Sequence, residues 1–293
     1  MADDATDDGL SRSATPALPT GRGTHRVIRG RGGNVAPMAG YRSALVTGAS
    51  SGIGAEIARV LATRGCDLTL VARRADRLEE LATELADKVR VDVVPADLAD
   101  DSGVATVEQR VREQPVELLV NNAGVGTGGT FHRLPVEDEL HEIRLNVLAV
   151  VRLTRAALPA MVEAGRGGVL NVSSLAGDQP LRGSATYSAT KSYVTTFSES
   201  IAAELRGTGV HVTVVKPGFT YTEMGGDEAP DPSSFLGKHL WLQADRVARD
   251  AVDAVEKGRL ICVPGGQWKA VNGLVQVLPR AVVRTLSSRL DQI

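Results

Sequence analysis

The stretch SALVTGASSGIG, residues 43–54, decides the fold class of this chain. A short apolar run leads into three glycines with the spacing Gly-x3-Gly-x-Gly, and a helical pattern follows at once. Glycines let the turn tighten and let the backbone approach a pyrophosphate, which rests on the N–H groups at the start of the helix. A glycine-rich turn alone could be purely structural, but its position between a strand and a helix favours dinucleotide binding. The predicted contacts are Gly48, Ser50, Ser51, Gly52, Ile53 and Gly54.

The alternation of short β-branched runs with longer helical patterns continues along the chain. It predicts right-handed βαβ units in a single doubly wound α/β domain of the Rossmann type, with parallel strands and helices on both faces. Ligands of such a sheet bind at the carboxyl ends of its strands. We predict seven strands, at 43–47, 67–71, 90–94, 117–120, 168–172, 210–215 and 259–263. The predicted helices are 53–63, 75–86, 103–112, 136–163 with an interruption near Pro159, 185–205 and 245–256.

The composition argues against several classes of protein. The 293-residue chain has 43% apolar and 23% charged residues, and its net charge of −2 gives no reason to expect a nucleic-acid partner. Cys66 and Cys262 lie in or beside apolar runs and are interpreted as buried thiols of a reduced, cytoplasmic protein. Five scattered histidines predict no metal site. No run approaches the about 18–20 apolar residues of a membrane span, and the acidic N-terminus does not resemble a signal peptide.

Three segments are predicted along the chain. Residues 1–40, rich in Gly, Pro, Ser, Asp and Arg, should be disordered, and either Met38 is the physiological start or the tail is dispensable. Residues 41–264 form the α/β domain. Residues 265–293 form an amphipathic C-terminal extension with short helices around Pro279. The extension either docks on protein, in this chain or a second subunit, or makes a peripheral membrane contact through residues 267–293.

Tyr187 and Lys191 are four residues apart in a run with few helix breakers. On a helix, this spacing places both side chains on one face. The ordinary pKa of tyrosine is about 10, and an ammonium beside it favours the phenolate and lowers that pKa. Ser174, at the end of a predicted strand, offers a hydroxyl to the same place. A hydride-transfer enzyme needs these groups from its protein, although Tyr-x3-Lys alone is more often a solvated helix face.

The end of the second predicted strand indicates which dinucleotide is bound. Enzymes that use NAD usually carry an acidic residue there, which holds the ribose 2′-hydroxyl. This chain has Ala72 followed by Arg73 and Arg74, and a guanidinium binds a 2′-phosphate bidentately. The sequence therefore predicts NADP(H), with NAD(H) less favoured. Arg73 is the first choice for the residue that binds the 2′-phosphate, and Arg74 is the second. Replacing Arg73 by Asp should then shift the preference toward NAD(H). The alternative is that both arginines only end a surface turn.

The chain resembles the short-chain dehydrogenase/reductase family in four motifs: the glycine-rich turn, Asn-Asn-Ala-Gly at residues 121–124, Ser174, and Tyr187-x3-Lys191. The resemblance implies that Ser174 binds the substrate carbonyl, Tyr187 supplies the proton, and Lys191 lowers the tyrosine pKa and binds the nicotinamide ribose. Asn146 matches the asparagine that holds a water in the family's proton relay. The further cofactor contacts that the resemblance implies are Asp97, Leu98, Asn121, Ala123, Gly124, Pro217, Gly218 and Thr222.

This resemblance covers about residues 43–264 and implies an activity. The expected enzyme transfers hydride from NADPH to a ketone or aldehyde of a small molecule, and the reverse reaction on an alcohol uses the same residues. We also expect a homo-oligomer, either a dimer or a tetramer, and a substrate lid within residues 219–242. The alternative of another class is an NADP(H)-binding regulatory protein without turnover. The intact set of Asn146, Ser174, Tyr187 and Lys191 argues against it.

Overall fold

The computed structural model describes residues 27–28, 40–224, 230–232, 234, 237 and 240–277. Nearly all of the predicted α/β domain is therefore described. The predicted start at Met38, most of the predicted N-terminal tail, and the second half of the C-terminal extension lie outside the described residues.

A sheet of eight strands forms the centre of the molecule, and a pair of short strands lies apart from it. In chain order the strands are β1 (Val27–Ile28), β2 (Ser43–Thr47), β3 (Asp67–Ala72), β4 (Val91–Pro95), β5 (Leu118–Asn121), β6 (Gly167–Val172), β7 (Val210–Val215), β8 (Thr220–Tyr221), β9 (Leu242–Gln243) and β10 (Ile261–Cys262). The large sheet has the order β1-β4-β3-β2-β5-β6-β7-β10, and every pairing in it except β1 with β4 is parallel. The strand order reverses at β2, so the crevice for a ligand lies at the carboxyl ends of β2 and β5.

Helices cover both faces of the large sheet. They are α1 (Gly52–Thr63), α2 (Ala75–Leu85), α3 (Asp101–Glu113), α4 (Val136–Ile143), α5 (Ala149–Glu163), α6 (Ala185–Glu204), α7 (Ala244–Glu256) and α8 (Gly266–Val277). Ile57 of α1 and Val252 of α7 pack in one core cluster, and Leu153 of α5 packs in the other. Neighbouring residues of β2 divide between the two cores, Val46 in the first and Leu45 in the second, as the two-residue period of a strand requires. The predicted doubly wound fold with seven parallel strands is confirmed.

The structure differs from the sequence-based prediction at Val27–Ile28 and at Pro159. Val27–Ile28 lie in the segment predicted to be disordered, yet they pair antiparallel with β4. They do so because an edge strand presents unpaired backbone groups, and β-branched residues suit an extended partner. The helix predicted to break near Pro159 continues through it to Glu163. Proline removes one helical hydrogen bond there, but buried side chains on both sides, Ala157 and Met161, hold the helix against the sheet.

The helices α4 and α5 form one continuous helix, which a π-helical turn at Arg144–Leu148 joins. By length and composition, the helix Val136–Glu163 could cross a membrane. Half of its most apolar window is buried inside the protein, however, and it contacts α3 and α6. It is therefore a helix of the domain core, and its apolar residues are explained by that packing.

The first helix of the C-terminal extension, α8, packs on the end of the sheet. Trp268 of α8 lies against Gly218, where an added Cβ would come within 2.2 Å of the indole ring. This ring meets Phe219 edge-on with 5.6 Å between the centroids, and its Nε1 donates to the carbonyl of Leu240 at 3.0 Å. Phe219 also stacks on Trp241 at 5.3 Å. The extension thus docks on the domain through an aromatic cluster of Phe219, Trp241 and Trp268.

Replacing Trp268 by Ala should destabilise the protein, because it removes the contact with Phe219 and leaves the Leu240 carbonyl without its indole donor. The free energy of unfolding should fall by about 1–2 kcal/mol. Urea denaturation, followed by circular dichroism, measures this change. Lys269→Ala, at the exposed neighbouring position, is the control and should leave the midpoint unchanged. Equal midpoints for the two variants would contradict the docking role of Trp268.

Candidate active site

The candidate active site lies where the carboxyl ends of β5, β6 and β7 come together. The register pairs Asn121 with Asn171 and Val172 with Val215, so these strand ends lie side by side. Ser174 follows β6 directly, and the helix α6 begins shortly after it and carries Tyr187 in its first turn. The topology therefore brings together the hydroxyl, phenol and ammonium that the sequence predicted.

Ser174, Tyr187 and Lys191 form one cluster. The Ser174 side chain lies close enough to Tyr187 to act on its phenol. Lys191 is buried, and its Nζ lies 5.6 Å from the centroid of the Tyr187 ring. The same Nζ donates to the carbonyl of Val172, at the end of β6, at 3.0 Å. This bond uses one of the three N–H donors of the ammonium and fixes its position relative to the tyrosine.

The expectation that Lys191 lowers the pKa of Tyr187 is not met in the structure. Burial raises the pKa of Tyr187, the hydrogen bond with Ser174 opposes this shift, and the negative charge of Glu142 adds to it. Burial dominates because the phenolate would lose its hydration, and the Lys191 ammonium directs its hydrogen bond to Val172. The phenol is therefore kept protonated at neutral pH, as a proton donor must be.

Burial acts on Lys191 in the opposite sense. It lowers the pKa of Lys191 from its ordinary value of 10.5 to about 8, and the charge of Glu142 partly opposes this shift. The loop after β5 covers the ammonium, since a Cβ on Gly124 would lie 3.3 Å from Nζ. At neutral pH the side chain is still mainly an ammonium, but it lies within reach of deprotonation.

Asn146 lies in the π-helical turn between α4 and α5, and its side chain is fully used. It donates from Nδ2 to the carbonyl of Val125 at 2.8 Å and accepts at Oδ1 from the N–H of the same residue at 3.0 Å. Nδ2 also donates to the hydroxyl of Thr190 at 3.1 Å. The side chain thus ties the loop after β5 to α6, and its place in a proton relay stays a prediction. Single π-helical turns occur often at functional sites.

Two consecutive serines follow β6, and only the second faces Tyr187. The buried Ser173 hydroxyl contacts the carbonyl of Lys191 at 2.7 Å and the hydroxyl of Thr195 at 2.9 Å. Ser174 is partly exposed, and its Oγ accepts from the N–H of Ala176 at 3.1 Å. This division agrees with the choice of Ser174 that the family spacing implied.

The glycine-rich turn packs closely against the loop after β5. A Cβ on Gly54 would come within 2.4 Å of the Gly48 carbonyl oxygen and of Asn122 Nδ2, so this contact requires glycine. Gly48 and Gly52 have positive φ angles of 65° and 56°. The Ser51 side chain makes no capping hydrogen bond to α1, so the N–H groups of the first turn stay open to an anion. The turn is therefore built to cradle a phosphate.

The two arginines after β3 point to different places. Arg74 reaches the glycine-rich turn, where it donates to the hydroxyls of Ser50 at 3.1 Å and Ser51 at 2.9 Å. Its other edge pairs with Glu223 at 2.8 Å. Arg73 lies 3.7 Å from Asp97 instead. Arg74 is thus the guanidinium that lies at the phosphate cradle in the structure, and which of the two arginines binds the phosphate stays a prediction.

The predicted cofactor contacts differ in whether their side chains are buried or partly exposed. The Asn121 side chain does not face the crevice: it is buried and donates to Thr154 at 3.1 Å and Asn171 at 2.9 Å, across the strand ends. Leu98 likewise buries its side chain in the core. Asp97 is partly exposed, and Thr222 lies over Gly52. Gly218 is covered by Trp268. Asn121 and Leu98 can therefore reach a cofactor only through their backbones.

The sequence analysis missed residues that hold the site together. Asn122 donates to the carbonyls of Thr47 at 3.0 Å and Gly48 at 3.2 Å, and the second asparagine of the motif was a signal for it. Glu139 and Glu142 are buried on α4, and charged residues on a helix that faces the core were also a signal. Trp268 gave no signal, since its contact with Gly218 spans fifty residues of the sequence.

Comparison with known proteins identifies the chain's relatives. The family model for short chain dehydrogenases matches residues 42–233. Over 213 residues the chain is 39% identical to sulfoacetaldehyde reductase 2 of Chromohalobacter salexigens, covering 70% of this chain and 84% of that protein. A short-chain dehydrogenase from Sphingobium yanoikuyae, solved in complex with NADPH, is 36% identical with a TM-score of 0.71, covering 80% of this chain and 93% of that one. The bulky-bulky ketone specific alcohol dehydrogenase from Comamonas testosteroni is 31% identical with a TM-score of 0.69, covering 82% and 96%.

Replacing each of the two neighbouring serines by alanine, one at a time, distinguishes the hydroxyl that stabilises the fold from the hydroxyl that faces the site. Ser173→Ala should lower the free energy of unfolding by about 1–2 kcal/mol, because it removes a buried hydrogen bond to the Lys191 carbonyl. Ser174→Ala should lower it by less than about 1 kcal/mol, because its hydroxyl is partly exposed. Urea denaturation of both variants measures the difference. The reverse order of stabilities would mean that Ser173, not Ser174, faces the site.

Proposed function

The chain belongs to the short-chain dehydrogenase family, and we propose that it is an NADP(H)-dependent oxidoreductase that interconverts a ketone or aldehyde and the corresponding alcohol. The catalytic residues that we assign are Ser174, Tyr187 and Lys191, with Asn146 as their support. The name of the Chromohalobacter relative refers to an aldehyde and that of the Comamonas relative to ketones, which supports a carbonyl substrate.

The clustering of the Ser174 and Tyr187 side chains beside a buried lysine is the observation that carries this proposal. Two hydroxyls that meet at one point can both hydrogen-bond the same substrate oxygen. The cluster also lies at the sheet edge that carries the phosphate cradle, as hydride transfer to that carbonyl requires. A solvated helix face would not bury the lysine, which is 5% exposed.

The residues divide the proton chemistry between them. Ser174 donates a hydrogen bond to the carbonyl oxygen and orients it, and Tyr187 donates its proton to that oxygen as negative charge develops there. The raised pKa of Tyr187 favours the protonated phenol that the reductive direction needs. Lys191 places a positive charge beside the phenol. One of its three N–H donors bonds to the Val172 carbonyl, and the other two do not. In the oxidative direction each proton moves the opposite way.

The chain's residues fit a phosphorylated dinucleotide. Gly48 and Gly54 lack the Cβ atoms that would collide with Asn122, so the turn stays tight, and the open N–H groups of α1 suit the pyrophosphate. When bound, the nicotinamide of the cofactor supplies or accepts the hydride. The serine hydroxyls of Ser50 and Ser51 and the Arg74 guanidinium suit a ribose 2′-phosphate. The NADPH complex of the Sphingobium relative supports this choice of cofactor.

Replacing Tyr187 by Phe should abolish turnover but keep cofactor binding. The variant lacks only the phenolic hydroxyl, which is the proposed proton donor, so kcat should fall by at least about 100-fold. NADPH oxidation, followed by absorbance against a panel of ketones and aldehydes, measures turnover, and fluorescence titration measures NADPH affinity. Equal turnover by the parent and the variant would contradict the assignment. Tight NADPH binding by the parent, with no turnover of any panel compound, would favour the non-catalytic NADP(H)-binding alternative.

Neutralising Arg74 should reduce NADPH affinity more than neutralising Arg73. Arg74→Ser removes the guanidinium that lies at Ser50 and Ser51, so the Kd for NADPH should rise by about 10- to 100-fold. Arg73→Ser is the matched control and should raise it less. NADH affinity should change little in both, which fluorescence titration with each dinucleotide tests. A larger loss in the Arg73 variant would confirm the order that the sequence suggested.

A further inference from the structure

Two lysines have buried side chains at the carboxyl end of the sheet, Lys216 after β7 and Lys191 on α6. A buried ammonium requires a compensating charge. Lys216, 1% exposed, has its partner in direct contact, because its Nζ forms an ion pair with Asp178. Lys191 forms no such pair with any residue that the structure describes, and its Nζ donates to a neutral carbonyl instead. Its positive charge must therefore be balanced from a greater distance.

Glu142 is the buried carboxylate that can balance the charge of Lys191. It is completely buried on α4, and it forms no ion pair with a residue in the described part of the chain. One of its oxygens, Oε2, accepts from the N–H of Thr127 at 2.9 Å and from the hydroxyl of Thr127 at 2.6 Å. A buried carboxylate that accepts two hydrogen bonds but touches no cation is costly to keep charged.

Asn146 connects Glu142 to the lysine. Oε1 of Glu142 lies 3.4 Å from Asn146 Nδ2, one helical turn along the same helix. A Cβ on Gly124 would lie 3.1 Å from Asn146 Oδ1 and 3.3 Å from Lys191 Nζ, so the amide and the ammonium flank the same backbone atom. Glu142, Asn146 and Lys191 are thus three buried residues that are linked through the Asn146 amide and the backbone of Gly124.

We propose that Glu142 is the counter-ion of Lys191: a positioning residue whose buried negative charge keeps the lysine protonated and whose carboxylate supports Asn146. The consequence for catalysis rests on the proposed function, but the charge interaction itself does not. The charged and titratable groups that face Glu142 are Glu139 on its own helix, and Tyr187 and Lys191 on α6. Its charge raises the pKa of both Tyr187 and Lys191.

Glu139 provides a matched comparison. It is also buried, at 6% exposure, and lies one turn earlier on the same helix. It too contacts the Thr127 hydroxyl, at 3.1 Å, and it accepts a hydrogen bond from Thr186, the neighbour of Tyr187. The two glutamates therefore share the structural task of holding the loop after β5. Glu142 contacts Asn146, which lies beside Lys191 at Gly124, whereas Glu139 contacts Thr186, so a variant of each separates the two roles.

The experiment is a direct titration of Lys191 in the full chain by NMR of 13C-labelled lysine. The sequence has six lysines, and the Lys191 signal is assigned by its loss in Lys191→Met. In the parent, Lys191 should titrate near pH 8. In Glu142→Gln the midpoint should move to lower pH, with the ratio of protonated to neutral lysine at pH 8 falling by about tenfold. In Glu139→Gln the midpoint should stay in place.

The pH dependence of carbonyl reduction gives a second readout. Loss of the Glu142 charge lowers the pKa of both Lys191 and Tyr187, so the alkaline limb of kcat should move to lower pH in Glu142→Gln only. An unmoved Lys191 titration in Glu142→Gln, or an equal shift in Glu139→Gln, would overturn the proposal. If no carbonyl compound is reduced, the proposed function fails, and the NMR titration still decides the counter-ion.

Glu142→Asp is used if Glu142→Gln does not fold. The aspartate keeps the charge while shortening the side chain by one methylene, so Lys191 should titrate close to its midpoint in the parent. A strongly lowered midpoint in this variant would show that charge is not what Glu142 contributes, and it would overturn the proposal.

Discussion

The hydroxyl of Thr47 is the contact on which the arrangement of the site depends. It donates to the carbonyl of Val120 at 3.1 Å and accepts from the N–H groups of Asn122 at 2.9 Å and Ala123 at 3.0 Å. One buried oxygen therefore joins the end of β2 to the end of β5 and the loop that follows. The glycine-rich turn follows β2 and Gly124 follows β5, so these hydrogen bonds fix the position of both. Gly124 in turn lies beside Lys191. The cofactor end and the proton-transfer end of the site are positioned by one connection between two strands.

Burial, more than pairwise attraction, sets the protonation states at this site. It raises the pKa of Tyr187 and lowers that of Lys191, so it favours the neutral form of each. The protonated phenol is what reduction of a carbonyl requires, whereas oxidation of an alcohol requires the phenolate. If the proposed function holds, burial thus favours the form of the tyrosine that reduction of a carbonyl uses.

The sequence predicted the fold and much of the site because periodicity and spacing report on burial and on backbone position. Seven parallel strands followed from β-branched runs, and the structure places Ser174, and not Ser173, beside Tyr187. The sequence does not show which partner a side chain takes when several are within reach. Arg73 and Arg74 are adjacent and chemically equal, and tertiary contacts alone send one to Asp97 and the other to Ser50. The direction of the Asn121 side chain was hidden for the same reason.

An aromatic cluster joins the family-model region to the residues that follow it. The family match ends at residue 233, yet Phe219 packs between Trp241 and Trp268, which both lie beyond it. Trp268 also covers Gly218, next to the predicted nicotinamide contact at Pro217. The first helix of the extension therefore has a protein surface to bind, next to residues that the family resemblance places at the cofactor. If the proposed function holds, this aromatic cluster is where the chain can vary its substrate choice while Ser174, Tyr187 and Lys191 stay the same.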